Sequence, residues 1–417
     1  MSKIFRFIFQ RKRFISFSIL RILSMVLGLV SNIIIVRELS VGDFGIFSVT
    51  LLVVNLLTTF GFNWSSSSIL YFGSKEREKY GTLNKTFWSR NIIIFISLFI
   101  VTIGIFLFRD QINNYIGLNI WFLLLVWLYV SVAENYLNQY FLAVKKQITS
   151  SLLSITAKVI YILLILFIPF DVVTLIIIYI ISHASVLFYI LGMNKRDIGR
   201  FEFDKSWFKE LLNFSLWQLF GFAGIYLLNF GDIAVVKYYM TNEDVGLYNA
   251  AYQLFNAVAG FSYVISSYYA PSISSYFTSN KTQPIKAFYY KERIYIIIAS
   301  IGMHLVAITL SKPIITILYG QEYLKSVTIF NILMFASMIK YVTVFYMLFY
   351  NSNGKHAVLQ MLNIAIAIVN VLLSIILIQM IGLVGPAVGT VLTLLLGLLF
   401  SFIYCEMKII KFIKAGE

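Results

Sequence analysis

Cysteine is all but absent. Cys405 stands alone in 417 residues, so the chain can close no internal disulfide and build no multi-thiolate metal site. Histidine is nearly as scarce: His183, His304 and His356 lie far apart and show no metal-ligand spacing. Charge is the third shortage. Asp, Glu, Lys and Arg make up 12% of residues, against about a quarter in soluble domains, while 60% are hydrophobic and mean hydropathy is +0.86. Water would leave that apolar surface uncovered, whereas a bilayer suits it, and there only helices or closed barrels satisfy their own backbone polar groups. Period-two alternation is missing too, which excludes the barrel. No Walker motif is present, which excludes ATP as a direct driver. No loop exceeds about 20 residues, so no extramembrane domain can house a catalytic centre.

What is present is a series of apolar runs of roughly helix-spanning length. Twelve spans are predicted, at 14–36, 44–70, 91–108, 119–143, 149–169, 172–192, 211–235, 245–270, 293–311, 328–350, 356–379 and 383–405. The basic residues test that count. With the N-terminus inside, inner segments carry 25 Lys and Arg while outer loops hold only five, Arg37, Arg109, Lys237, Lys312 and Lys325. A miscounted helix would scramble this split, so both termini are expected to be cytoplasmic. Topology therefore accounts for the net charge of +15 without a nucleic-acid partner. The first apolar run exceeds a secretory h-region and is read as the first helix.

The two halves echo each other. Asn32, Ile33, Val36 and Arg37 match Asp232, Ile233, Val236 and Lys237; one residue later in register, Asp43-Phe44-Gly45-Ile46-Phe47 matches Asp244-Val245-Gly246-Leu247-Tyr248, and Asn55 falls on Asn256. Six helices plus six, both halves starting inside, make a parallel repeat with substrate expected between the halves. The organisation follows: a six-helix lobe over 1–192, a cytoplasmic linker at 193–210 and a second six-helix lobe over 211–417.

Polar residues inside the spans mark candidate sites. Ser131, Glu134, Asn135, Asn138 and Gln139 share one face of helix 4, and Asn249, Tyr252, Gln253 and Asn256 share one of helix 8. Helix 2 has a thinner version in Ser48, Asn55, Thr59 and Asn63. Such faces point into a hydrated cavity or make interhelical bonds. Glu134, Lys158 and Lys340 fall mid-helix and Arg21 about a third of the way along helix 1, where an ionisable group is costly and marks a site. Glu134 and Lys158 read either as a structural ion pair or as parts of a cationic cavity, with Glu134 holding a coupling proton or sodium ion. Asp232, near the outer end of helix 7, is a further candidate or a cap. His183 and His304 read as packing or interface residues, either of which could titrate, and no His has an evident acidic partner. Trp64, Trp217 and Tyr252 belong to interfacial belts or stack on sugars.

The run from Arg37 to Phe47 (RELSVGDFGIF), its echo at Asp244–Tyr248, Leu318 to Tyr323 (LYGQEY) and Gly382 to Thr390 (GLVGPAVGT) resemble, in order and spacing, the Wzx-type polysaccharide flippases of the multidrug/oligosaccharidyl-lipid/polysaccharide (MOP) exporter superfamily. The resemblance covers essentially the whole chain. It implies an all-α, MATE-like membrane fold of twelve helices in two pseudo-symmetric lobes. It also implies transfer of undecaprenyl-pyrophosphate-linked oligosaccharide units from the cytoplasmic to the outer leaflet of a bacterial inner membrane by alternating access. That path serves O-antigen lipopolysaccharide or capsule, needs no cofactor beyond a coupling proton or sodium ion, and has a polysaccharide polymerase and membrane lipids as partners. The competing readings are an ion-coupled multidrug exporter of the same superfamily and a membrane-embedded enzyme of polysaccharide assembly.

Overall fold

The computed structural model describes residues 3–144, 146–193 and 200–415, with the side chains of 3–18, 191–193, His356 and Ala415 outside that description. Lys145 and residues 194–199 of the expected linker thus lie outside the described residues. Contacts divide the chain into two compact units, Met1–Ala223 and Gly224–Glu417, the boundary falling inside one long helix.

The first unit runs α1 (Lys3–Glu38), α2 (Val41–Gly61), α3 (Ser66–Tyr80), α4 (Asn84–Leu107), the short α5 (Arg109–Ile116), α6 (Trp121–Ala143), α7 (Gln147–Phe167), α8 (Val172–Met193) and the start of α9 (Lys205–Tyr239). The second holds the rest of α9, α10 (Asn242–Thr278) and α11 (Thr282–Ala287). A π-helical turn at Phe288–Glu292 leads into α12 (Arg293–Thr309), followed by α13 (Ser311–Leu318), α14 (Ser326–Ser352), α15 (His356–Ile381) and α16 (Gly385–Ala415). No strand occurs among the described residues.

Nine stretches among the described residues are long and apolar enough to cross a membrane, and one of them, Ala357–Lys414, contains both α15 and α16. Helix α6, bent by 91° from α5, adds a further span. The polar face of α10 lowers its hydropathy, and α10 completes the twelve expected spans. The burial pattern agrees with lipid as solvent: Phe95, Phe188 and Trp217 are 73%, 77% and 79% exposed, while the interior holds Arg90, Glu134 and Asp232. The chain is a multi-pass membrane protein.

The expected span 44–70 is not one helix. It breaks at Phe62–Ser65, where a single 3₁₀ turn joins α2 to α3. The serine-rich run supplies the cause, because Ser65 Oγ donates to the Phe62 carbonyl at 3.1 Å and Ser68 Oγ to that of Ser65 at 2.6 Å, local bonds that compete with a straight ladder. Helix α3 then continues to Tyr80, so the expected loop from residue 71 is helical over its first half.

Two sequence motifs acquire physical meaning. The repeated Asp-x-Gly run is a helix start: Ser40 Oγ accepts from the Asp43 amide at 3.1 Å, and Thr241 Oγ1 accepts from that of Asp244 at 3.2 Å. The Asp244 carboxylate accepts in turn from the Thr241 amide at 3.1 Å, closing a capping box. GLVGPAVGT is a tight helix–helix corner. Gly382 takes φ +68° at the end of α15, and a Cβ on Gly385 would stand 2.4 Å from the backbone carbon of Leu377. Only glycine lets α16 begin that close to α15, and the corner places Thr390 beside Ser374.

Candidate functional site

In the first unit, α6, α7, α8 and α1 enclose a polar cluster. Glu134 is buried and its Oε2 receives the Nδ1–H of His183 at 2.6 Å, while Ser154 Oγ donates to Oε1 at 3.4 Å. The His183 ring stacks on Tyr179 at a centroid distance of 4.0 Å, which fixes its plane. Lys158 does not pair with Glu134. Its ammonium donates to the Ser24 carbonyl at 2.8 Å and to Ser24 Oγ at 2.9 Å, bridging α7 to α1. Of the two readings of Glu134 and Lys158, the direct ion pair is not formed; Glu134 bonds to His183 instead, which makes His183 an interhelical interface residue. The reason is reach: α8 packs against α6 and presents an imidazole at hydrogen-bond distance, whereas Lys158 is drawn to a helix carbonyl on α1. Asn138 Oδ1 accepts from Ser150 Oγ at 3.2 Å, so it ties α6 to α7. Of the helix-4 face, Asn135 is exposed.

In the second unit the centre is Asp232, 3% exposed and therefore neither a cap nor a snorkelling group. Four donors from three helices converge on its carboxylate. Asn370 Nδ2 and Ser374 Oγ reach Oδ1, both at 2.8 Å; Tyr248 Oη reaches Oδ2 at 2.8 Å and Thr390 Oγ1 at 2.6 Å. An ionised carboxylate accepts about four bonds, so this one is saturated as it stands. Three of the donors are hydroxyls, which can rotate to offer lone pairs instead, and the buried Asn370 Oδ1 has no hydrogen-bond partner. The same six oxygens can thus hold an ionised carboxylate with its donors, a proton, or a hard monovalent cation. Among the described residues there is no cluster of three or more His, Cys, Asp or Glu of the kind that holds a transition metal.

From Asp232 a row of rings runs along α10 toward its C-terminal end. Tyr248 stacks near Tyr252 with centroids 6.2 Å apart, Tyr252 meets Phe255 at 5.4 Å, and the Lys340 ammonium sits 4.5 Å over the Phe255 ring. Tyr252 is itself buried and donates to the Leu228 carbonyl at 3.0 Å. Gln253 and Asn256 are half-buried on the same helix, and Gln253 Nε2 reaches Asn249 Oδ1 at 3.5 Å.

The remaining candidates fall elsewhere. Arg21 lies on an exposed stretch of α1. Asn55 donates back to the Leu51 carbonyl of its own helix at 2.7 Å. Trp64 packs with Phe72, Ile93 and Leu211, and Trp217 is largely exposed beside Phe220.

Residues 11–277 match the model of the family described as polysaccharide biosynthesis protein. The chain belongs to this family. A curated relative in sequence is the probable low-salt glycan biosynthesis flippase Agl15 of Haloferax volcanii, 22% identical over 185 residues. That match takes in 44% of this chain and 39% of Agl15, so the chain spans about two fifths of that relative. In fold the family member is similar to the lipid II flippase MurJ in an inward closed conformation, at a TM-score of 0.70 and 17% identity over 96% of this chain and 90% of MurJ. It is likewise similar to an inward-facing multidrug resistance MATE transporter of the MOP superfamily, at 0.75 and 15% over 94% and 96% of the two chains. The fold is that of the MOP transporters, as the motifs implied.

Sequence reasoning found Asp232, Glu134, Asn138, Lys158 and Lys340, but it missed His183, Tyr248, Asn370, Ser374 and Thr390. Asn370 and Ser374 carry a usable signal, one helical turn apart in an otherwise apolar run. His183 carries none, because its partner comes from a helix 49 residues away.

Proposed function

We propose that this chain is a flippase that carries undecaprenyl-pyrophosphate-linked oligosaccharide units from the cytoplasmic to the outer leaflet of the inner membrane by alternating access. The observation that carries the reading is the family match over residues 11–277 on a membrane fold whose interior holds fixed charges, Lys158 and Lys340 among them. A prenyl-linked glycan has an apolar tail suited to lipid and an anionic, hydroxyl-rich head that needs such a polar path. Asp232 is the coupling site, taking a sodium ion or a proton, and Glu134–His183 is a second proton-holding pair. Lys340, Tyr252, Gln253 and Asn256 line the glycan path, and both termini and the 193–210 linker face the cytoplasm. A polysaccharide polymerase acts on the product at the outer leaflet, for O-antigen or capsule assembly.

Reconstitution tests it. Purified protein in vesicles should translocate a fluorescent prenyl-diphosphate oligosaccharide, and its deletion should remove the surface polymer and leave lipid-linked units facing the cytoplasm. The second reading, an ion-coupled multidrug exporter, is favoured by the likeness to MATE transporters in fold. Export of cationic drugs with no glycan movement would decide for it and against the first.

A further inference from the structure

Arg90 is a cation without a counterpart. It lies on α4, is 0% exposed, and none of Nε, Nη1 and Nη2 has a hydrogen-bond partner. What surrounds it is aromatic: its guanidinium carbon is 5.2 Å from the Phe62 ring centroid and 5.1 Å from that of Tyr136. Ring quadrupoles partly offset the buried charge, but they give the N–H groups no acceptor.

The second unit contains the equivalent arrangement with the missing piece in place. Arg293 opens the third long helix of its half as Arg90 lies near the start of the third span of the first, and its guanidinium carbon is 5.2 Å from Tyr289 and 5.4 Å from Tyr346. Tyr136 and Tyr346 both lie on the fourth long helix of their half. Arg293 Nη2, however, donates to Glu406 Oε1 at 2.7 Å, and that oxygen also accepts from Tyr346 Oη at 2.9 Å. Arg293 keeps Nε and Nη1 without a partner but has this one oxyanion, whereas among the described residues none of the three nitrogens of Arg90 meets an acceptor.

A cavity lies one helical turn from Arg90. It has a volume of about 190 Å³, and its wall includes Arg77, Thr82, Asn84, Phe87 and Tyr140. Phe87 packs edge-on against Tyr136 at 5.7 Å, so it separates the cavity from the rings that hold the guanidinium. The volume is below the roughly 300–1,000 Å³ of drug-sized ligand sites, which suits a phosphoryl group and not a sugar chain. Arg77, exposed at the wall, adds a second positive charge.

We propose that Arg90 is the receptor for a phosphoryl oxyanion that enters through this cavity and reaches the guanidinium when the Phe87 ring turns aside. The planar N–H fork of arginine matches two oxygens of a phosphate, which is what three unpartnered nitrogens require. The shared chemistry is a lipid phosphate, from either a prenyl diphosphate or an anionic phospholipid headgroup. Only the choice between them rests on the flippase reading.

The test is thermal unfolding of the full chain in detergent, titrated separately with geranyl diphosphate, dioctanoyl phosphatidylglycerol and inorganic pyrophosphate. Wild type should be stabilised by at least one lipid phosphate. Arg90→Gln should weaken that ligand at least tenfold, and Arg90→Met should unfold no earlier than wild type without ligand, since it removes a buried unpaired charge. Phe87→Ala should tighten binding. A response to geranyl diphosphate alone identifies the substrate's diphosphate, one to phosphatidylglycerol alone a bilayer headgroup, and one to both a general lipid-phosphate site. The inference is overturned if Arg90→Gln binds all three probes as wild type does. Should neither Arg90 variant accumulate, unchanged affinity in Phe87→Ala overturns it equally. Anion binding with no glycan transport would sink the flippase reading and leave this site standing; glycan transport with no Arg90-dependent binding would do the reverse.

Discussion

His183 Nδ1 stands 2.6 Å from Glu134 Oε2, across helices α8 and α6, with the imidazole held flat against Tyr179. Removing one member of a buried pair strands the other, at a cost of about 3–5 kcal/mol. His183→Ala and Glu134→Ala should therefore each lower thermal stability sharply. A double-mutant cycle between them should give a coupling of about 1–3 kcal/mol. The Glu134/Lys158 cycle should give a smaller coupling, since no hydrogen bond joins the two, and a Glu134–Lys158 coupling larger than that of Glu134–His183 would contradict the assignment.

Asp232 should separate coupling from folding. Asp232→Asn keeps an acceptor for part of the donor set, so the protein should accumulate while transport loses its dependence on a sodium or proton gradient. Asp232→Ala leaves four donors without an acceptor and should lose at least about 2–3 kcal/mol. Flux in vesicles with and without each gradient, alongside unfolding curves, checks both.

The two helix starts at Ser40 and Thr241 should be worth similar amounts. Ser40→Ala and Thr241→Ala are each expected to cost about 1 kcal/mol, with Thr241→Gly costing only a few tenths more than wild type. Chemical unfolding of the purified variants measures this, and a null effect at both positions would remove the physical basis offered for the repeated Asp-x-Gly run.

Asp204 introduces a pH dependence outside the membrane spans. Its Oδ1 accepts from the Ser206 hydroxyl at 2.7 Å and its Oδ2 from Lys85 Nζ at 3.0 Å, which holds its carboxyl well below the usual range. A depressed carboxylate stabilises the fold above its unfolded value and loses that contribution as pH falls through the folded one. The start of α9 should therefore stay fastened down to about pH 4 and loosen progressively below it. Limited acid-protease cleavage near residues 200–205 should rise over that window in wild type, and be raised and flat in Asp204→Asn.

Much of the fold was legible because a bilayer allows few solutions. The lengths of apolar runs specify spans directly, and the corner at Gly382–Gly385 falls between two of them; the break at Phe62–Ser65 lies hidden inside one expected span, because its local serine bonds leave the hydropathy of the run unbroken. The centres were half legible. A charge such as Asp232 or Glu134 announces itself against an apolar background, but what it meets depends on helix rotation and packing, which single-helix periodicity does not carry. Tyr248 and Thr390 look like any other polar residues until four helices bring them to one carboxylate. Arg90 was counted among the basic residues of a loop, because its position next to a span boundary gives no hint that α4 starts at Asn84 and takes it inside.

The close approach of Gly385 to Leu377 has a mechanical consequence. Two helices in backbone contact at a glycine corner cannot slide past each other, so α15 and α16 shift as one stiff hairpin. Asn370 and Ser374 ride on one arm and Thr390 on the other, which makes three of the four donors to Asp232 a single travelling part. The carboxylate on α9 therefore meets the hairpin as a unit, held by all three donors together, and any displacement of α9 against the hairpin has to break those three bonds in one step.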